Sequence, residues 1–238
     1  AHFYSIAAIA SILKRKFKIP LVVTEHSSKL NRNILGISGL DVKLARKAYQ
    51  NADRVVAVSN ALARNLKNNL NVDAVVIHNI VDVSRFQYVK RTQKSGFTFI
   101  SIGNLIELKG FDLLVEAFAE AFKDDKSVKL NIVGAGPEKE KLQHIVNQYD
   151  LNNNIVLLDE VGRDKLKVLY PESDAFVLAS KSETFGVVFI EAMATGLPVI
   201  ATDCGGPSDF VNEQNGYLFS VKDKKSLFDA LMKMGNKS

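Results

Sequence analysis

From Phe97 onward, short apolar runs rich in β-branched residues alternate with longer helix-like segments, and each run is bounded by Gly, Pro, Asn or Asp. That alternation admits one architecture, a parallel sheet whose strands are joined by helical crossovers. The pattern predicts strands near 97–102, 128–133, 154–158, 174–178, 197–201 and 216–219. It predicts helices near 110–123, 137–149, 163–170, 187–195 and 223–234. Runs such as Phe97-Thr98-Phe99-Ile100 and Leu130-Asn131-Ile132-Val133 are nearly continuous in apolar character, as strands covered by helices on both faces are. The expectation is a doubly wound α/β domain of about 140 residues.

Residues 1–83 repeat the pattern less completely. A helix runs to about Lys16, followed by strand Leu21–Thr24, a helix near 39–50, strand Arg54–Val58, a helix near 60–68 and strand Ala74–Ile77. The polar stretch Ser84–Gly96, with Arg85, Lys90, Arg91 and Lys94, has the composition of an interdomain linker. The expected division is a partial first domain over 1–88, a linker to about 96 and a second domain over 97–238. The opening residues read as mid-helix, so the chain is expected to begin inside a longer protein. Leu35-Gly36-Ile37-Ser38-Gly39-Leu40 reads as a loop and not as a nucleophile elbow, because Gly39 comes one position too early.

At 47% hydrophobic and 24% charged, the 238 residues exclude disorder, collagen and coiled coil. A net charge of +5 suits phosphate groups but is too dispersed to indicate nucleic acid. One cysteine, Cys204, excludes an intramolecular disulfide framework and a cysteine-cluster zinc site, and His2, His26, His78 and His144 are scattered. No metal is expected, and a reducing, cytoplasmic setting is. The apolar run Phe3–Leu13 is interrupted by Ser5 and Ser11 and is far shorter than the roughly 20 residues that cross a bilayer. The basic cluster Lys14, Arg15, Lys16 and Lys18 after it reads first as a solvated helix end; a second reading is peripheral contact with the inner membrane face.

The stretch from Ser180 to Ile200 carries the chemistry. It follows a strand, opens a helix and leads into another strand. The helix body, Val187 to Ala194, is apolar around its whole circumference, which marks it as buried, yet it holds Glu191. Burying an ionised carboxylate costs several kcal/mol unless it is paired or hydrogen-bonded. Glu191 therefore needs a partner: an internal lysine on one reading, the two hydroxyls of a ribose on the other. Such a strand-to-helix turn lies at the carboxyl edge of a parallel sheet, and the amides of Phe185, Gly186, Val187 and Val188 at the helix start make an anion site. Glu183, just before the helix, faces the same crevice.

Glu183 and Glu191, set around Phe185-Gly186 and followed by Ala192-Met193-Ala194-Thr195-Gly196-Leu197-Pro198-Val199-Ile200-Ala201, resemble the motif of the group 1 (family 4) retaining glycosyltransferases. Further matching segments are Ala52 to Ser59, Asn79 to Phe86, Gly103 to Phe111, Gly134 to Pro137 and Gly205 to Pro207, so the resemblance covers essentially the whole chain. It implies the GT-B fold, an α/β arrangement of two Rossmann-like doubly wound parallel-sheet domains, here with the first incomplete. It implies transfer of a hexose from a nucleotide sugar to a glycan, lipid-linked or small-molecule acceptor, as in polysaccharide biosynthesis, with retained anomeric configuration and no metal or other cofactor. By the resemblance, Glu191 holds the ribose and Glu183 the donor-sugar hydroxyls, while the amides from Phe185 to Val188 hold the sugar and diphosphate. Lys109 neutralises the departing diphosphate, and His26 faces the donor sugar from the first domain. The implied catalytic residues are Glu183, Lys109 and His26; the implied donor-binding residues are Gly103, Asn104, Gly134, Gly136, Thr184, Phe185, Gly186, Val187, Val188 and Glu191. For His26 alone, a satisfied surface or capping histidine is an equally good reading.

Two departures stand out. Asn104 occupies a position where such families commonly carry arginine, which removes one cationic contact to the diphosphate, and Asp159 replaces a frequent glycine near the expected base pocket. Three rival functions remain. Leu130 to Gly136 resembles the start of a dinucleotide fingerprint, which would suit a nicotinamide dehydrogenase, but Lys139 stands where the third glycine belongs. A nucleotide-sugar-binding fragment without turnover is the second, and a sugar-nucleotide epimerase sharing the fold is the third.

Overall fold

A computed structural model describes residues 1–27, 30, 39–90 and 95–235. Contacts divide the chain into two units: Ala1–Asn79 with Ser182–Gly186, and Ile80–Lys181 with Val187 onward.

In the first unit, helix α1 (Tyr4–Phe17) is followed by β1 (Val22–Glu25), α2 (Gly39–Gln50), β2 (Arg54–Ala57), α3 (Asn60–Leu70) and β3 (Val75–Val76). The three strands are parallel, in the order β1-β2-β3. Ser59 caps α3 by accepting the Leu62 amide at 3.1 Å, and Asn71 closes it in the left-handed conformation. Gly39 and Leu40, expected to end a loop, begin α2; the rest of that stretch, 35–38, lies outside the described residues. Helix α1 turns its small and polar side toward the unit, burying Tyr4, Ala7 and Ser11, while Ile6, Ile9, Leu13 and Phe17 are exposed.

The second unit contains β4 (Phe97–Ile102), α4 (Phe111–Phe122), β5 (Val128–Val133), α5 (Lys139–Gln148), β6 (Ile155–Leu158), α6 (Arg163–Glu172), β7 (Ala175–Leu178), α7 (Val187–Ala194), β8 (Val199–Thr202), β9 (Gly216–Phe219) and α8 (Lys224–Gly235). Its six parallel strands run in the order β6-β5-β4-β7-β8-β9. Strands β7 and β8 are buried along their whole length, as the continuous apolar runs require. The core joins both faces of this sheet: Phe99 packs against Phe118 and Phe122 of α4, and Phe176 edge-on against Phe189 of α7 at 5.0 Å.

The order reverses direction at β4, whose neighbours β5 and β7 lead away on opposite sides. The carboxyl ends of β4 and β7 therefore bound the crevice that such sheets leave at their switch point. Part of the stretch expected to be a linker packs as core of this unit. Phe86 is buried edge-on to Tyr170 at 5.8 Å, and the Tyr88 ring fills the space where Gly196 has no side chain. Arg91 and Lys94 lie outside the described residues.

Candidate functional site

The loops after β4 and β5 are stitched together by backbone. Gly103 N–H donates to Val133 O at 3.1 Å, Leu105 N–H to Ala135 O at 2.8 Å, and Glu138 N–H to Leu105 O at 2.9 Å. The approach is so close that a β-carbon on Gly134 would collide with the Gly103 carbonyl oxygen, and one on Gly136 with the backbone of Leu105. These two glycines are thus required by the neighbouring loop. That packing explains the partial dinucleotide fingerprint without any dinucleotide, and the glycines follow β5 rather than the strand at which the order reverses.

Lys109 ends a short 3-10 turn, Glu107–Lys109, and its stem lies along Gly103: a β-carbon there would sit 3.8 Å from both Lys109 Cδ and Cε. The turn is tied to the end of β7, because Lys181 N–H donates to Leu108 O at 2.8 Å and Lys181 Nζ pairs with Glu107 at 2.7 Å. The Lys181 hydrogen bond holds the Glu107 carboxyl below its ordinary range. Asn104 is exposed on the same loop. The sequence reading gave Lys181 no role, although a lysine three residues beyond a continuous apolar strand run is a visible signal.

After β7 the chain passes through Ser182–Gly186, a segment that groups by contacts with the first unit and in which Ser182, Glu183, Thr184 and Phe185 are buried. Gly186 immediately precedes α7 with φ +91°, a conformation a side chain would strain, so the helix can start abruptly at Val187. The first amides of such a helix have no acceptor inside it. One expectation fails here: α7 is not buried all round. Phe189 and Ala192 are buried, whereas Val187 is 38% exposed, because a helix lying on a sheet meets it with one face only.

Glu191 lies one turn into α7 and is half-buried. Its partner is not a lysine. The Tyr170 hydroxyl, from α6, donates toward Glu191 Oε2 at 3.3 Å and also stands 3.3 Å from the carbonyl of Val188. Burial raises the Glu191 carboxyl above its ordinary value, while the Tyr170 hydrogen bond and the charge of Arg163 pull it down. Burial, with Glu191 beside it, raises the Tyr170 phenol. The sequence reading missed Tyr170; the only signal was a phenol placed among apolar contacts on a polar helix.

Of the expected residues, the second unit collects Gly103, Asn104, Lys109, Gly134, Gly136, Val187, Val188 and Glu191 on segments that follow β4, β5 and β7. Asp159, just after β6, is exposed and paired with Lys139. Glu183, Thr184, Phe185, Gly186 and His26 group with the first unit. There His26 follows β1, its ring stacked on His2 at 5.2 Å with Nε2 3.0 Å from His2 Nδ1. Burial and then His2 lower the His26 imidazole, against an upward pull from Glu25. The ring thus has a protein partner within its own unit.

A larger surprise is Glu25, which is fully buried. Its Oε2 accepts the Tyr4 amide at 3.0 Å at the start of α1 and the Tyr49 hydroxyl, and its Oε1 accepts the amides of His26 at 2.9 Å and Ser27 at 2.6 Å. A lone acid at the end of Leu21-Val22-Val23-Thr24 was the sequence signal for it.

Comparison with known proteins sets this geometry in context. Residues 83–237 match the family model for glycosyl transferases group 1, and residues 1–85 match that for glycosyltransferase family 4. An uncharacterized glycosyltransferase of Methanocaldococcus jannaschii is 28% identical over 229 residues, covering 96% of this chain and 62% of the relative. An N-acetyl-alpha-D-glucosaminyl L-malate synthase of Bacillus anthracis is 28% identical over 247 residues, covering 98% of this chain and 64% of the relative. The chain therefore spans a little under two thirds of these two relatives. Anabaena Alr3699/HepE, solved in complex with UDP, superposes with a TM-score of 0.83 at 21% identity, covering 95% of this chain and 65% of that one. That likeness is one of fold, the GT-B α/β fold of parallel sheets.

Proposed function

Because the chain belongs to the group 1 glycosyltransferases, we propose that it supplies the donor-binding part of an enzyme moving a sugar from a nucleotide diphosphate sugar to a glycan, lipid-linked or small-molecule acceptor. One observation carries the reading: a half-buried carboxylate, held by a tyrosine rather than by a cation, stands one turn into the helix that opens the sheet's switch-point crevice. A carboxylate so placed accepts the two hydroxyls of a ribose, while the amides that start the helix take the attached diphosphate.

Breaking the sugar–phosphate bond builds negative charge on the diphosphate, and donors fixed in advance toward that charge lower the barrier. The reading gives this task to the start of α7 and to Lys109, whose stem is steered along Gly103. Asn104 can add a hydrogen bond but no charge, so Lys109 carries more of the work. Glu183 holds donor-sugar hydroxyls in this scheme and His26 faces them. The acceptor attacks from the face the diphosphate leaves, which retains the anomeric configuration. No metal is assigned a part.

Calorimetric titration with UDP-, GDP- and ADP-sugars, repeated on Glu191→Ala, tests the reading. UDP-sugars come first, because the Anabaena structure holds UDP. At least one donor binds the unaltered chain and loses most of its affinity in the variant; equal affinity in both removes the ribose assignment. A second reading, donor binding without transfer, is favoured by the first unit's sheet, which among the described residues has three strands against six in the second. Transfer of radiolabelled sugar by the 238-residue chain decides against it.

A further inference from the structure

The aromatic ring of Tyr170 sits in the core of the second unit, between Phe86 and Phe176, with centroid distances of 5.8 Å and 6.2 Å. The residue is 0% exposed. A phenol in such surroundings must find a partner for its hydroxyl or lose its hydration without compensation. Both acceptors it reaches belong to α7: the carboxylate of Glu191 and the carbonyl of Val188 in the first turn. Tyr170 lies near the end of α6, two residues before its last, where Pro171 follows and the Ser173 amide closes on the Tyr170 carbonyl at 3.0 Å. Its backbone is therefore fixed independently of α7.

We propose that Tyr170 is a positioning residue for the nucleotide site: its hydroxyl, anchored on α6, sets the orientation of the Glu191 carboxylate and the seat of the first turn of α7. The inference rests on the ribose reading of Glu191. A carboxylate that meets two neighbouring hydroxyls must present its edge at one angle, and a buried donor on Oε2 selects that angle before the ligand arrives. Free rotation of the carboxyl would otherwise be lost on binding. The hydrogen bond also favours the ionised form, the only form that accepts from both hydroxyls. Among the described residues, the other charged group bearing on Glu191 is Arg163 at the start of α6, so Tyr170 and Arg163 together oppose the effect of burial.

The experiment is a double-mutant cycle on the full chain, using Tyr170→Phe, Glu191→Ala and the pair, with UDP, GDP and ADP as probes in calorimetric titrations from pH 5 to pH 8. Tyr170→Phe keeps the ring and its packing, and circular dichroism and the thermal midpoint confirm that it folds. The nucleotide that binds best loses about tenfold in affinity in Tyr170→Phe, the size expected for one hydrogen bond to a charged group. The pH at which affinity fades on acidification moves upward, because removing the hydrogen bond makes Glu191 easier to protonate. In the Glu191→Ala background, Tyr170→Phe costs nothing further. If Glu191→Ala weakens binding but Tyr170→Phe leaves affinity and pH profile unchanged, the positioning role is wrong and the ribose reading stands. An equal loss from Tyr170→Phe with and without Glu191 shows a packing role only and also overturns it. If Glu191→Ala binds as the unaltered chain does, or no probe binds that chain, the ribose reading fails and takes this inference with it.

Discussion

Glu25, the last residue of β1, and Glu191, one turn into α7, are both carboxylates withdrawn from water, and the protein treats them in opposite ways. Glu25 is fully buried and receives four donors from its own unit. Glu191 is half-buried and receives one hydroxyl at 3.3 Å. A carboxylate offers about four lone-pair sites. The first has its needs met by the fold, so its work is to hold α1, α2 and the turn at His26 together. The second has been given a direction but few donors, which is how an acid meant for an incoming ligand looks.

If the contrast is right, removing the two acids has opposite effects on stability and binding. Glu25→Ala strands the Tyr4, His26 and Ser27 amides and the Tyr49 hydroxyl. The first unit is expected to lose about 4 kcal/mol, enough to unfold separately, read as a low-denaturant phase in urea unfolding followed by circular dichroism. A single unshifted transition would remove the distinction. Glu191→Ala is expected to leave the thermal midpoint within a degree or two while costing about 3 kcal/mol of nucleotide affinity, from two hydrogen bonds to a charged group.

Alanine at Gly134 separates glycines required by the loop from glycines required by a ligand. Collision with the Gly103 carbonyl destabilises the second unit by about 2 kcal/mol even with no nucleotide present, measured as a lower unfolding midpoint. Lys109→Ala, by contrast, removes a side chain and creates no backbone collision. In an active enzyme containing this chain it lowers turnover about 100-fold with little change in stability, and unchanged turnover would move leaving-group stabilisation elsewhere.

The smallest effect is in the pH dependence. The Glu191 carboxyl is raised in the folded state, so between its unfolded and folded values the native chain binds more protons than the unfolded one. Its contribution to stability is therefore fully present below the unfolded value and is lost as pH rises through the folded one. Nucleotide affinity runs the other way, since the ionised form is the acceptor. Glu191→Ala flattens both slopes, seen in midpoint and affinity measured from pH 4 to pH 8.

No helix among the described residues is long and apolar enough to cross a membrane, and Lys14 at the basic end of α1 pairs with Asp53 at 2.7 Å. The exposed stripe of Ile6, Ile9 and Leu13 on α1 is a property of the first unit that composition alone did not reveal.

The alternation of short apolar runs with amphipathic segments was enough by itself to indicate the main elements, their parallel pairing and the placement of Glu191 on a helix after a sheet strand, because side-chain periodicity is local and strand–helix–strand connections return strands in parallel. The motif around Phe185-Gly186 likewise marked where α7 starts, since a turn with positive φ announces itself as glycine. Tertiary structure alone decided which groups answer the two buried acids. Tyr170 reaches Glu191 across 21 residues, and Tyr49 reaches Glu25 across 24. It also decided that Gly134 answers to Gly103 and that Phe86 belongs to a core. Desolvation demands a partner without naming it, and the name depends on which distant helix the sheet order brings alongside.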